Sequence, residues 1–220
     1  MSKKIIILGG LGNGSIIANA IVHANNFGNN EWSFEGYLND RIKVGEYIES
    51  YPVLGKLSDI SRFINHDYYF INAILRIDGQ IERLEMFNNL NIPEDRLATF
   101  IHPMAYVAPN VQLSPGTVIM PNASISAGTS FGKCCLVMVG ATIGHDNIIG
   151  DFAHIAAQAC VGSYLRIGIG VHIGLNATIK ENLTIGDYSA VGMGAVLTKN
   201  IGNEEIWVGN PARFLRKIIY

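Results

Sequence analysis

His145 and Asp146 stand side by side in this 220-residue chain, inside the stretch ATIGHDNIIGDFAHIAAQ, and a second histidine, His154, follows nine residues on. Imidazole is the side chain whose ordinary pKa lets it accept a proton near neutral pH. A carboxylate bonded to one ring nitrogen fixes the tautomer and raises the basicity of the other. The pair therefore suits general-base catalysis, provided that two adjacent side chains can converge. Other reactive groups are sparse. The cysteines are Cys134, Cys135 and Cys160. An odd count with two adjacent thiols makes no disulfide framework, and no C-x-x-C spacing is present. They read as small packing residues in a reducing compartment.

The elements that must position the pair show in a repeat. From Ile101 the chain divides into sixes, and all seventeen leading residues through Leu197 are Ile, Val, Leu or, once, Phe131. The fifth position is mostly small, as at Ala105, Thr117, Ala123, Ala141, Ala153, Ala159, Ala177, Ser189 and Ala195, and the second is often Gly. A period of six is neither helical nor the alternation of a plain strand. It fits a coil of three short strands per turn, with the leading residue pointing inward and Gly-rich corners. One coil then takes eighteen residues, and residues eighteen apart stack. The register is unbroken, so no inserted loop is expected. His145 falls at a corner under Ser163, and His154 stacks with His172 at a different place. Two stacked histidines lack the further ligand that a metal site needs, so no metal is expected.

Before the coil the texture changes. KKIIILGGLGNGSIIANAIVHANN reads as a strand, a Gly-rich turn and a helix starting near Gly14 or Ser15. SFEGYLND is a second strand ending at Asn39 and Asp40, LSDISRFIN a short helix capped by Ser58, YYFINAI a buried strand, and DGQIERLEMFNNL an amphipathic helix. Alternating strands and helices predict a small parallel α/β domain over 1–97, with the coil domain and its tail over 98–220. The turn Gly9-Gly10-Leu11-Gly12-Asn13-Gly14 is not a G-x-G-x-x-G motif. It still lets backbone N–H groups approach a diphosphate at a helix N-terminus.

Composition narrows the partners. The chain is 49% hydrophobic and only 15% charged, with a formal net charge of −2 and no dense Lys/Arg cluster, which argues against nucleic acid or an anionic membrane as the main partner. MSKKIIILGG imitates a signal peptide, but its apolar run stops at Gly9, and no stretch approaches a membrane span. A cytoplasmic protein without membrane insertion is expected.

An α/β domain with a Gly-rich turn, an uninterrupted hexapeptide coil, the stretch IGHDNIIGDFAHIAAQACVG and the ending WVGNPARFLRK together resemble the bacterial nucleotide-amino-sugar N-acetyltransferases of the PglD/NeuD type, within the hexapeptide-repeat acyltransferases. The resemblance implies a Rossmann-like N-terminal domain, a left-handed parallel β-helix, and a homotrimer with acetyl-CoA between adjacent coils. It implies transfer to a nucleotide-linked amino sugar, such as an NDP-4-amino-4,6-dideoxyhexose, for glycan, O-antigen or lipopolysaccharide biosynthesis. His145 matches the general base and Asp146 the acid beside it. His154, Gly162, Ser163, Lys180, Gly192 and Arg213 go with acetyl-CoA. Gly10, Leu11, Gly12, Asn13, Gly14, Asp40, Asn72 and Ala73 go with the nucleotide-sugar.

The expected reaction is direct transfer, with the Gly162 and Ser163 N–H groups receiving the oxyanion. Arg216 and Lys217 join Arg213 as candidates for the coenzyme phosphates, and Trp207 belongs either to the core or beside the pantetheine arm. An acyl-enzyme through Cys160 has no base placed for it. The chain departs from the family at Asn13, where His is usual, and at Asn72–Arg76. Two other readings are a sugar O-acetyltransferase and a non-catalytic trimer subunit that only binds nucleotide-sugar.

Overall fold

A computed structural model describes residues 2–219. The N-terminal unit begins with β1 (Lys3–Leu8), α1 (Asn13–Asn25), β2 (Trp32–Leu38), β3 (Tyr47–Ile48) and β4 (Tyr51–Gly55). It continues with α2 (Ile60–Ile64), β5 (Tyr69–Asn72) and α3 (Gln80–Asn88). The sheet order is β3-β4-β2-β1-β5, parallel except for the β3–β4 hairpin. Ile5, Ile6, Ile7 and Leu8 are all fully buried because β1 is covered on both faces, which is why it reads as an uninterrupted apolar run. The β3–β4 hairpin adds an antiparallel edge to the otherwise parallel sheet. The LSDISRFIN segment is capped by Asp59, whose carboxylate accepts the Lys56 N–H at 2.8 Å, and not by Ser58. Asp59 satisfies a donor that a helix start leaves open.

The coil follows as seventeen two-residue strands among the described residues, β6 (Phe100–Ile101) to β22 (Val196–Leu197). They stack into three parallel sheets, one per face, in eighteen-residue register, as in Ser124↔Thr142↔Cys160↔Thr178. The leading residues and small fifth-position residues fill the interior as one apolar column. The corners differ from expectation in one respect. The fourth residue of a hexad, not the second, takes the left-handed conformation, as at Gly128, Asp146, Tyr164 and Asn182, one above another. Second-position glycines answer a different demand. A Cβ on Gly144 would come within 2.7 Å of the Gly162 backbone in the next coil.

The coil abuts the β5 edge of the sheet. Leu97 pairs with Phe70 of β5, the Ala98 N–H donates to the Phe70 carbonyl, and the chain then enters β6. Among the described residues the N-terminal unit packs over the face carrying β6, β9 (Val118–Ile119), β12 (Leu136–Val137), β15 (His154–Ile155) and β18 (His172–Ile173), and over the corner residues Cys134 and Phe152 beside it. Phe100, Val118 and Leu136 share a buried cluster with Ile5, Ile17 and Ile71. The strands β23 (Glu205–Val208) and β24 (Arg213–Lys217) close this same face at its far end. No helix among the described residues is long and apolar enough to cross a membrane.

Candidate active site

His145 lies at the corner joining β13 (Thr142–Ile143) to β14 (Ile148–Ile149), opposite the face that carries the N-terminal unit. Adjacent side chains can converge here because Asp146 occupies the left-handed position, with φ of 56°. Its Oδ2 lies 2.8 Å from His145 Nδ1. An ionised carboxylate can only accept, so Nδ1 carries the proton and Nε2 is left as the basic nitrogen. Gly128, one coil below, makes the room, since a Cβ there would strike Asp146 Oδ1. Tyr164 packs against the imidazole edge-on, with ring centroids 4.9 Å apart. Both members of the pair are about half exposed, at 49% and 52%.

Ser163 stands one coil above His145, and its Oγ accepts the His145 backbone N–H at 3.1 Å. Among the described residues the Ser163 N–H has no hydrogen-bond partner, whereas the Gly162 N–H is committed to the Ile179 carbonyl at 3.0 Å. The expectation that both N–H groups would receive an oxyanion therefore narrows to Ser163. Gly162 is glycine for the coil's sake: a Cβ there would meet the Glu181 N at 2.8 Å. Lys180 continues the same edge, two coils above Gly144, and is exposed.

The Gly-rich turn forms one wall of a cleft of about 680 Å³, lined by Gly10, Leu11, Asn39, Asp40, Ala73, Arg76 and Arg83 among others. Gly10, Leu11, Asp40 and Ala73 thus meet in one place, while Gly12, Asn13 and Gly14 enter α1 behind them. Gly9 and Gly12 adopt φ of 119° and 86°. Gly10 packs so tightly that a Cβ would lie 2.6 Å from Asn39 Nδ2. Asn39 pins the turn: its Nδ2 donates to the Gly9 carbonyl at 3.0 Å, and its Oδ1 accepts the Arg41 and Ile42 N–H groups. Asp40 Oδ1 accepts the Leu57 N–H at 2.9 Å, so one carboxylate oxygen is committed to the scaffold. Arg76 and Arg83, which sequence reasoning missed, bring positive charge to this cleft. Arg83 was hidden within an amphipathic helix, and Arg76 within a departure from the family pattern.

A small cavity of about 20 Å³ adjoins the cleft, sharing Arg76 and Arg83 with it and adding Asn72, Gln80, His154 and His172. The two stacked imidazoles have centroids 4.7 Å apart. Burial pushes the His154 pKa down to about 3 and that of His172 to about 4, so both rings are neutral. His154 therefore lies beside the cleft, on the face under the N-terminal unit, and away from the His145 corner. Asn72 turns its Oδ1 to the Ile74 N–H at 3.0 Å.

The remaining candidates are scattered. Gly192 lies at a third corner, where a Cβ would meet Val208 Cγ1 at 2.7 Å. Arg213 is exposed, with a guanidinium N–H on the Ala212 carbonyl. Arg216 holds Asp78 in a two-pronged ion pair at 2.8 and 2.9 Å, and Lys217 donates to the Asn203 carbonyl and faces Glu205, so both basic groups are already engaged. Arg216 keeps the Asp78 carboxyl below the usual carboxylate range. Trp207 packs on the coil core and donates its indole N–H to Glu205. Burial pushes the Cys134 and Cys135 thiols up, and exposed Cys160 lies between Thr142 and Thr178, neither of which is a base. Among the described residues no three His, Cys, Asp or Glu side chains converge to hold a metal ion.

No family model and no curated protein matches the sequence. Solved structures do. The acetyltransferase domain of PglB from Neisseria gonorrhoeae FA1090, in complex with acetyl coenzyme A, is similar at TM-score 0.83 and 26% identity, over 98% of this chain and 100% of that one. WeeI from Acinetobacter baumannii AYE is similar at TM-score 0.72 and 25% identity, over 96% and 100%. PerB from Caulobacter crescentus, in complex with CoA and GDP-perosamine, is similar in fold at TM-score 0.82 and 21% identity, over 97% of each chain.

Proposed function

We propose that this chain, a hexapeptide-repeat sugar acetyltransferase, moves an acetyl group from acetyl-CoA to the amine of a nucleotide-linked amino sugar. The observation that carries the reading is the His145–Asp146 pair at a corner where the Ser163 N–H, one coil above, has no hydrogen-bond partner among the described residues. The amine attacks the thioester carbonyl carbon while His145 Nε2 takes its proton. The carbonyl oxygen becomes an oxyanion facing the Ser163 N–H. Collapse breaks the C–S bond, and the proton on His145 passes to the departing sulfur, giving the amide and free CoA. Asp146 holds the ring and offsets the charge of the transient imidazolium.

The cleft with Gly10, Leu11, Arg76 and Arg83 offers backbone donors at the start of α1 and two guanidiniums, a set suited to a diphosphate. Asp40, with one oxygen uncommitted to Leu57, lies where the base of the nucleotide would go. The cleft belongs to the N-terminal unit on one face of the coil and the base to the corner opposite that face, so neither alone forms a site. We read the protein as a homotrimer in which the cleft of one copy faces the His145 corner of the next, with acetyl-CoA along the exposed edge that carries Lys180. The same reading makes the N-terminal unit, residues 1–97, Rossmann-like and the coil, 98–220, left-handed. It places the enzyme in the cytoplasm, acting on a 4-amino-4,6-dideoxyhexose for glycan or O-antigen synthesis.

The test follows free thiol released from acetyl-CoA across UDP-, dTDP- and GDP-linked amino sugars, with wild type and His145→Ala. Wild type is expected to turn over at least one amine, and the variant to lose about 10²–10⁴-fold in kcat. Turnover of a free sugar alcohol with no amine accepted would replace the N-acetyl reading by an O-acetyl one. Equal rates for the two proteins would leave only a binding subunit.

A further inference from the structure

We infer that Asn147 is a positioning residue for the transfer: from inside the coil it turns the Gly162–Ser163 peptide so that the Ser163 N–H faces the reacting carbonyl. This rests on reading the His145 corner as the acetyl-transfer site.

Asn147 occupies the fifth place of its hexad, where small residues are the rule, and it is fully buried. Every polar atom of its side chain is used. Nδ2 donates to the Gly144 carbonyl at 2.8 Å and to the Gly162 carbonyl at 2.9 Å, and Oδ1 accepts the Leu165 N–H at 2.7 Å. In a trans peptide the C=O and N–H point opposite ways. Drawing the Gly162 carbonyl inward therefore sends the Ser163 N–H outward from the same edge of the coil. Drawing the Gly144 carbonyl inward does the same for the His145 N–H, which meets Ser163 Oγ. One amide thus fixes the peptides that carry both the base and the oxyanion donor.

Packing alone does not call for an amide here, because an apolar residue fills this column one coil higher, at Leu165. The column is polar at Asn147 and, one coil below, at Thr129, whose Oγ1 donates to the Gly144 carbonyl at 2.9 Å. A shorter side chain makes the same fifteen-residue bond elsewhere: Thr117 Oγ1 donates to the Gly132 carbonyl at 3.0 Å. Thr at 147 is therefore expected to restore the Gly162 anchor that Ala removes.

The test compares wild type, Asn147→Ala and Asn147→Thr by kinetics and by crystal structure. Asn147→Ala is expected to fall by about tenfold or more in kcat, short of the 10²–10³ seen when an oxyanion donor is removed outright. KM for both substrates should stay within about twofold, and Asn147→Thr should recover most of the loss. In the crystal the Gly162–Ser163 peptide of Asn147→Ala should turn, and that of Asn147→Thr should not. An unturned peptide in Asn147→Ala overturns the inference, as does a loss confined to KM or one that Asn147→Thr shares. If wild type transfers to no amine, the acetyl-transfer reading fails, and the peptide orientation in the two variants still decides the role of Asn147. If Asn147→Ala does not fold, a folded Asn147→Thr whose peptide has turned overturns it.

Discussion

The His145–Asp146 bond has a strength that exposure limits. With both partners half open to water, the carboxylate offers orientation and a screened charge, not the strong field of a buried triad. Asp146→Asn is therefore expected to cost about 10- to 100-fold in kcat with KM unchanged, less than the ~10⁴ of a buried Asp–His pair. Steady-state kinetics against the acceptor amine checks this, and a loss as large as that of His145→Ala would mean the aspartate does more than orient. The pair was legible in the sequence as types and spacing. Its convergence was not, because that depends on the left-handed φ of Asp146 and the space over Gly128. Gly162 illustrates the opposite error. Its N–H reads as a free donor until the inter-coil ladder claims it.

Among the elements, the face of the coil under the N-terminal unit changes character along its length. Phe100, Val118 and Leu136 give way to His154 and His172, where α3 reaches over the coil and Gln80 donates to the Gly170 carbonyl at 2.8 Å. His154 Nε2 is enclosed with no partner among the described residues, and Arg76 and Arg83 line the same cavity. Folded, the two rings titrate near 3 and 4; unfolded, near 6.5. Between those limits the unfolded chain binds more protons, so stability is full above about pH 6.5 and falls as pH falls toward 4. Thermal melts of wild type should lose several degrees across that window, at about 2–4 °C per kcal/mol for a chain of this size. A His154→Gln, His172→Gln double variant should show a shallower loss, and an unchanged slope would place the acid sensitivity elsewhere. The six-residue period made the stacking of these histidines visible in advance, since the coil's contacts are local. Which face the N-terminal unit covers was not visible. That is a long-range choice made by Phe100, Val118 and Leu136 together, and no periodicity records it.

At the scale of the whole molecule, the proposed site is divided. The cleft is lined wholly by the N-terminal unit, which packs on one face of the coil, and His145 stands at the corner opposite that face, so the two halves of the proposed site point away from each other within one chain. The proposed homotrimer would solve this, because each copy of a closed ring would offer its neighbour the corner it cannot use itself. Subunit mixing makes the division measurable. His145→Ala removes the base and leaves the cleft intact. Arg83→Glu places a repelling charge in the cleft and leaves the corner intact. Each pure variant should be nearly inactive. In randomly mixed rings, a working site needs the cleft of a His145→Ala copy beside the corner of an Arg83→Glu copy, which chance supplies at about a quarter of positions. Co-expressed variants should therefore regain activity toward about a quarter of wild type, with the KM of wild type. If mixing regains nothing while mixed rings are present by mass, the reading of a site shared between copies fails.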